Sequence, residues 1–226
     1  MAAIADNLQA VKKRIERAAA AAGRDASTVT LLAVSKTHAA ARVLEAAAAG
    51  QRAFGENYVQ EALDKMDATT GLEWHLIGPL QSNKTRLAAE RFDWVHTVAN
   101  EKIARRLAEQ RPAGLAPLNV LIQVNASAEA SKAGVAPSAA AALASSISSL
   151  NAIRLRGLMA IPEPGAPRER FHEMNLLYQD LKTRFALDTL SMGMSDDMEL
   201  AIAEGSTMVR IGTAIFGQRE KHRSAA

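Results

Sequence analysis

Lys36 follows the apolar run Leu31-Leu32-Ala33-Val34, with only Ser35 between them, in the stretch LLAVSKTH. An amine at the end of a buried strand loses hydration, and desolvation disfavours its charged form. A neutral amine attacks carbonyl groups and forms Schiff bases. Strand alternation puts Leu32, Val34 and Lys36 on one side, so the lysine points with the core side chains. Taken alone, the stretch is read more simply as a solvated or ion-paired strand end. The stretch LSMGMSDDMELAIAEGSTMVRIGTAIFG supplies complementary groups. Gly212 and Thr213 place backbone N–H groups where a phosphate can approach, although Gly212 equally suits close packing. Ser195 precedes Asp196 and Asp197, which leaves it two roles, phosphate ligand or helix N-cap. Arg210 shares strand parity with Gly212. A buried guanidinium needs an acceptor, either a ligand or a structural carboxylate.

Short apolar runs alternate with longer helical patterns, and these must position the reactive groups. The pattern predicts strands over 29–35, 53–57, 73–78, 94–98, 119–125, 156–161, 189–194 and 208–216. Helices are expected over 39–49, 58–66, 84–91, 101–110, 138–150, 169–185 and 196–204. An amphipathic helix precedes the first strand, and the Pro/Gly segment IPEPGAPRER forms a loop after the sixth. Repeated βα units of this kind predict a (β/α)8 TIM barrel with an extra N-terminal helix, as one domain over 1–226. A doubly wound sheet is the rival. It is weaker because no strand carries a dinucleotide-type glycine fingerprint. In a barrel, functional groups collect at the C-terminal strand ends. Lys36, Asn57, the His75 strand with IGPLQSNKTR, Asn125, Ser195 and Arg210 all fall there.

Composition narrows the function classes. The chain has 226 residues, 48% of them hydrophobic, enough for a sizeable core. A formal charge of only +3, with a small basic cluster at Arg219, Lys221 and Arg223, gives no nucleic-acid footprint. No cysteine is present, which excludes disulfides, thiolate nucleophiles and Cys-ligated metals and fits a cytoplasmic protein. The N-terminus lacks the layout of a signal peptide, and no run reaches the roughly 20 apolar residues of a membrane span. His38, His75, His96 and His172 have no metal-type spacing, and His75 reads as a satisfied core histidine. Asp196, Asp197 and Glu199 read as a solvated first helical turn.

Six motifs in order, AVSKTH, FGENYVQEA, WHLIGPLQSNK, GLMAIPEPG, LSMGMSDDMELAI and GSTMVRIGTAIFG, resemble the pyridoxal phosphate homeostasis proteins. These are the YggS/PROSC family of PLP-binding proteins. The resemblance runs from the first strand to Gly217. It implies a single barrel similar to the N-terminal domain of alanine racemase, the fold type III PLP architecture. It implies Lys36 as the Schiff-base lysine, Ser195, Gly212 and Thr213 at the phosphate, and Arg210 at the pyridine nitrogen. Asn57 is implied beside the ring and Met159 on the barrel floor. An arginine leaves that nitrogen unprotonated and weakens carbanion stabilisation. The implied function is PLP buffering or delivery to apo-enzymes by a monomer, without a catalytic residue, a metal or a membrane partner. Two alternatives stay open: a weak amino-acid racemase, and a barrel enzyme acting on a phosphorylated metabolite without PLP.

Overall fold

The computed structural model describes residues 3–127 and 133–218. Arg219, Lys221 and Arg223 lie outside the described residues. Among those described, eight strands close into a barrel in chain order. They are β1 (Thr30–Val34), β2 (Ala53–Glu56), β3 (Glu73–Leu76), β4 (Trp94–Val98), β5 (Leu118–Val124), β6 (Ile153–Ala160), β7 (Thr189–Ser191) and β8 (Met208–Ile211). Every neighbouring pair is parallel, and β8 returns to β1 with Leu32 opposite Arg210 and Ala33 opposite Ile211. The helices between strands are α2 (Ala40–Ala48), α3 (Val59–Asp67), α4 (Thr85–Arg91), α5 (Glu101–Gln110), α6 (Ala140–Ser148), α7 (Arg168–Phe185) and α8 (Met198–Ala203). The (β/α)8 expectation is met, and the doubly wound alternative is removed by closure.

Alternation sorts the strand residues into two layers. Ala33, Phe54, Leu76, Val95, Val120, Ile122, Leu158 and Val209 pack outward with the helices in the main core. Leu32, Val34, Ala53, Ile77 and Met208 form one inner cluster, and Trp94, Leu121 and Met159 form another. The inner layer is unusually polar, because His75, His96, Ser191 and Arg210 are also buried there.

The amphipathic N-terminal helix α1 (Ile4–Ala21) buries Ile4, Leu8, Val11, Ile15 and Ala19, one stripe at helical spacing. That stripe covers α8 and a short last helix, α9 (Thr213–Phe216). Here the sequence reading is corrected, since 208–216 was expected to be one strand. The chain turns at Gly212, whose carbonyl accepts from the N–H groups of Ile215 and Phe216. Ile215 and Phe216 are apolar because they face α1, and the Asn7 side chain caps the Ile215 carbonyl at 2.9 Å. Periodicity alone does not separate so short an apolar run from a strand.

Candidate functional site

Lys36 sits half-buried in the turn that ends β1. The turn is built by an ion cluster immediately behind it. Lys65 of α3 is only 4% exposed, and its Nζ donates to the Ser35 carbonyl at 2.8 Å, Glu56 Oε1 at 2.7 Å and Glu61 Oε1 at 2.7 Å. An ammonium has three N–H donors, so each has an acceptor. Glu56 Oε1 also accepts from Ser35 Oγ at 2.6 Å. Burial pushes the Glu56 carboxyl up, against the pull of Lys65. Glu61 accepts the Thr37 N–H as well. Thr37 adopts φ 67°, a left-handed conformation that a β-branched residue avoids at a cost of about 1–3 kcal/mol. The residues before and after Lys36 are therefore both tied to the same buried cluster.

The barrel order places β8 and β2 on either side of β1. Gly212, at the end of β8, lies against Val34: a Cβ there would come within 3.1 Å of the Val34 carbonyl oxygen. Thr213 is exposed beside it. On the other flank, half-buried Asn57 follows β2, and its backbone is pressed against Gly78 after β3. Ser195 lies in the loop after β7, and its carbonyl accepts from Arg14 of α1 at 3.0 Å. The N-cap position of α8 belongs to Asp197, so Ser195 is not the helix cap. Glu199, expected to be merely solvated, pairs with Arg14 at 2.8 Å. The N-terminal helix thus braces the loop that carries Ser195.

Arg210 lies deeper and is 5% exposed. Its guanidinium donates to Ser191 Oγ at 2.8 Å and to the Ala160 carbonyl at 2.9 Å. Desolvation lowers its pKa to about 10, so it stays charged at neutral pH. Among the described residues no carboxylate comes within ion-pair distance of it. The fixed partners are neutral, and the alternative of a structural carboxylate is not realised. Met159, opposite Ser191 on β6, is fully buried with Trp94 and Leu121. The structure therefore gathers Lys36, Asn57, Gly212, Thr213 and Ser195 at one end of the barrel. Arg210 and Met159 lie inside it.

Sequence reasoning missed two features. Lys65 and Glu61 look like a surface i,i+4 pair, and nothing in the pattern marks them as buried. His75 and His96 stand 21 residues apart on adjacent strands, yet their rings meet at 2.9 Å between Nδ1 and Nε2. His75 reaches Glu73 Oε1 at 2.7 Å and stacks on Trp94, its ring centroid 5.1 Å away. The Arg156 guanidinium also lies over Trp94, 4.6 Å from the ring centroid. Among the described residues no cluster fits a metal ion. None of their helices is long and apolar enough to cross a membrane.

Both inner histidines have lowered pKa values, by desolvation first; His96 lies well below 6.5. The unfolded chain binds more protons between those lowered values and about 6.5, so stability present above that pH is lost below it. Raised Glu56 contributes the opposite slope at lower pH. We expect the unfolding free energy of the wild type to fall by about 1–2 kcal/mol from pH 7 to pH 5.5. The fall should be smaller in His96→Gln. Parallel urea-denaturation profiles for the two proteins would contradict this account.

Known proteins share the barrel and much of the sequence. The alanine racemase N-terminal domain family matches residues 6–220. The chain is 60% identical to the pyridoxal phosphate homeostasis protein of Pseudomonas aeruginosa over 224 residues, covering 97% of each chain. It is 56% identical to that of Escherichia coli over 227 residues, covering 96% of this chain and 97% of the relative. PipY of Synechococcus elongatus, solved with PLP bound, superposes with a TM-score of 0.81 at 37% identity, over 95% of this chain and all of that one. The alanine racemase of Corynebacterium glutamicum shares the fold alone, at 18% identity and a TM-score of 0.72, over 98% of this chain and 62% of that one. Identity of 56–60% over nearly the whole length shows the family: the chain belongs to the pyridoxal phosphate homeostasis proteins, on the alanine racemase N-terminal barrel.

Proposed function

We propose that this protein binds pyridoxal 5'-phosphate with Lys36 as its Schiff-base lysine, and that it buffers the cofactor or hands it to apo-enzymes. The observation that carries the reading is the buried, charged Arg210, held by neutral partners inside the barrel whose mouth carries Lys36. The donor set fits PLP. Lys36 offers the amine for the aldehyde. Gly212, bare of a Cβ where one would crowd Val34, with Thr213 and Ser195, offers N–H and hydroxyl donors for the phosphate. Arg210 offers a hydrogen bond to the ring nitrogen without surrendering a proton. Asn57 would flank a bound ring and Met159 would lie beneath it. When bound, PLP supplies a reactive aldehyde and an electron sink, the latter weakened by an arginine at the nitrogen. The relative from Synechococcus elongatus holds PLP, and the curated relatives are named for its homeostasis.

This reading has no catalytic residue. A racemase on this fold needs a second proton-handling group facing Lys36. Tyr178 is on the buried face of α7, where desolvation raises its hydroxyl to about 12, and Tyr58 is 61% exposed. Weak racemase activity remains the alternative, and loss of α-deuterium from labelled alanine, abolished in Lys36→Ala, would establish it. We further propose a monomeric, cytoplasmic protein of one domain over 1–226, with no nucleic-acid partner.

The test is to mix the protein with PLP, reduce with borohydride and map the product by peptide mass spectrometry. A phosphopyridoxyl group on Lys36, absent from Lys36→Ala, is the expected result. Label spread over surface lysines would overturn the reading. Delivery predicts transfer to an apo-enzyme faster than release of free PLP.

A further inference from the structure

A line of buried polar side chains runs through the barrel from Arg210 to Glu73. Arg210 Nη1 donates to Ser191 Oγ at 2.8 Å, and Ser191 Oγ lies 3.4 Å from His96 Nδ1. His96 Nε2 lies 2.9 Å from His75 Nδ1, and His75 Nε2 lies 2.7 Å from Glu73 Oε1. The two ends are of opposite type. A guanidinium only donates, and a carboxylate only accepts. Ser191 Oγ therefore accepts from Arg210, which leaves its own O–H for His96 Nδ1. At the far end, His75 Nε2 must carry the hydrogen that Glu73 accepts. A neutral His75 then accepts at Nδ1, so His96 Nε2 carries a hydrogen and His96 Nδ1 accepts. Each group donates to the next, in one direction only, with both histidines neutral. Serine, the histidines and the arginine are buried, while the Glu73 side chain is 48% exposed. The line begins inside the barrel below Lys36 and ends near water at the start of β3.

We propose that Ser191, His96, His75 and Glu73 are positioning residues that fix the Arg210 guanidinium through this one-way chain, so that the group meeting a bound ring is set from the opposite end of the barrel. The Ala160 carbonyl holds the second terminal nitrogen. With both terminal nitrogens tied, the guanidinium plane is set before any ligand arrives, and the ordering cost on binding falls. Chains of buried hydrogen bonds polarise one another, so a change at Glu73 is felt at Arg210. The consequence for a bound ring rests on the PLP reading above, whereas the chain itself does not.

The test begins without ligand. Long-range proton–nitrogen NMR of the histidine rings should show His75 and His96 as neutral Nε2–H tautomers at pH 7.5. Glu73→Ala should abolish that single pattern at His75 and shift the Arg210 Nε–H resonance. Glu73→Gln, whose amide carbonyl still accepts from His75, should restore both. After PLP loading, the absorption maximum of bound cofactor should move in Glu73→Ala and return in Glu73→Gln. A purely structural Glu73 would lower the melting temperature in Glu73→Ala while leaving the Arg210 resonance and the absorption maximum unmoved, and that outcome overturns the proposal. So does an Nδ1–H tautomer at either histidine in the wild type. If the chain behaves as expected but no PLP is taken up, the cofactor reading fails and the positioning of Arg210 stands.

Discussion

Lys65→Met is expected to lower the unfolding free energy by about 3–5 kcal/mol, because removing one partner leaves Glu56 charged and buried without compensation. The Glu56 side chain is fully buried, its Oε2 has no hydrogen-bond partner, and Oε1 already depends on Lys65 and Ser35. The same substitution unfastens the Ser35 carbonyl. It also frees Glu61, which holds the Thr37 N–H. A hydrogen bond to a charged group contributes about 1.5–3 kcal/mol, comparable with the cost of a left-handed threonine. Without the cluster the turn relaxes, and Lys36 loses its fixed direction. Urea denaturation of the ligand-free protein measures the stability loss, and borohydride trapping measures the loss at Lys36. The double substitution Lys65→Met with Glu56→Gln should recover part of the stability, since the charge left unpaired is then only that of Glu61, which is partly exposed. A loss below about 1 kcal/mol in Lys65→Met, the range of exposed pairs, would show that the cluster does not hold the turn.

Gly78→Ala should be nearly as damaging, by about 3 kcal/mol, the upper part of the usual range for overpacking. The new Cβ would stand 2.1 Å from the Asn57 carbonyl oxygen and 2.6 Å from its Cα. Both are backbone atoms, so no rotamer change relieves the clash. Nor can Gly78 simply retreat, because its carbonyl is held by Thr97 Oγ1 at 2.8 Å. The strain falls on Asn57, which flanks Lys36. Gly78→Ala should therefore also weaken PLP retention. Gly114→Ala is the matched control, since nothing lies within 4 Å of its Cβ position. Equal urea midpoints for the two variants would refute the close-approach account.

The barrel was legible because parallel strands are buried on both faces and therefore read as apolar runs between helical patterns. Parity along the first of those runs correctly put Leu32 and Val34 on the inside. The residue types at the strand ends pointed to Lys36, Asn57, the His75 strand, Asn125, Ser195, and Arg210 with the segment GTAIFG; of these, His75 and Arg210 lie buried inside the barrel. Lys65 was illegible, because a lysine four residues after a glutamate on a helix looks the same whether it faces solvent or a buried carboxylate. Its burial is decided by Glu56 and Ser35 on other segments. The His75–His96 contact depends on how β3 and β4 are staggered, with His75 opposite Trp94, and register leaves no mark in either strand alone. The α9 segment misled because Ile215 and Phe216 answer to α1, more than 190 positions earlier in the chain.

The docking of α1 also has a temporal side. Asn7 bonds to Ile215 across a separation of 208 residues, and Arg14 grips Ser195 and Glu199. Ribosomes add about 5–20 residues per second, so the first helix emerges roughly 10–40 s before its last native partners exist. Throughout that interval its greasy stripe of Leu8, Val11 and Ile15 has nowhere native to rest, while the seam between β1 and β8 is equally unmade. Synthesis therefore imposes a waiting period on this fold, and the helix made first is among the last parts to be fastened.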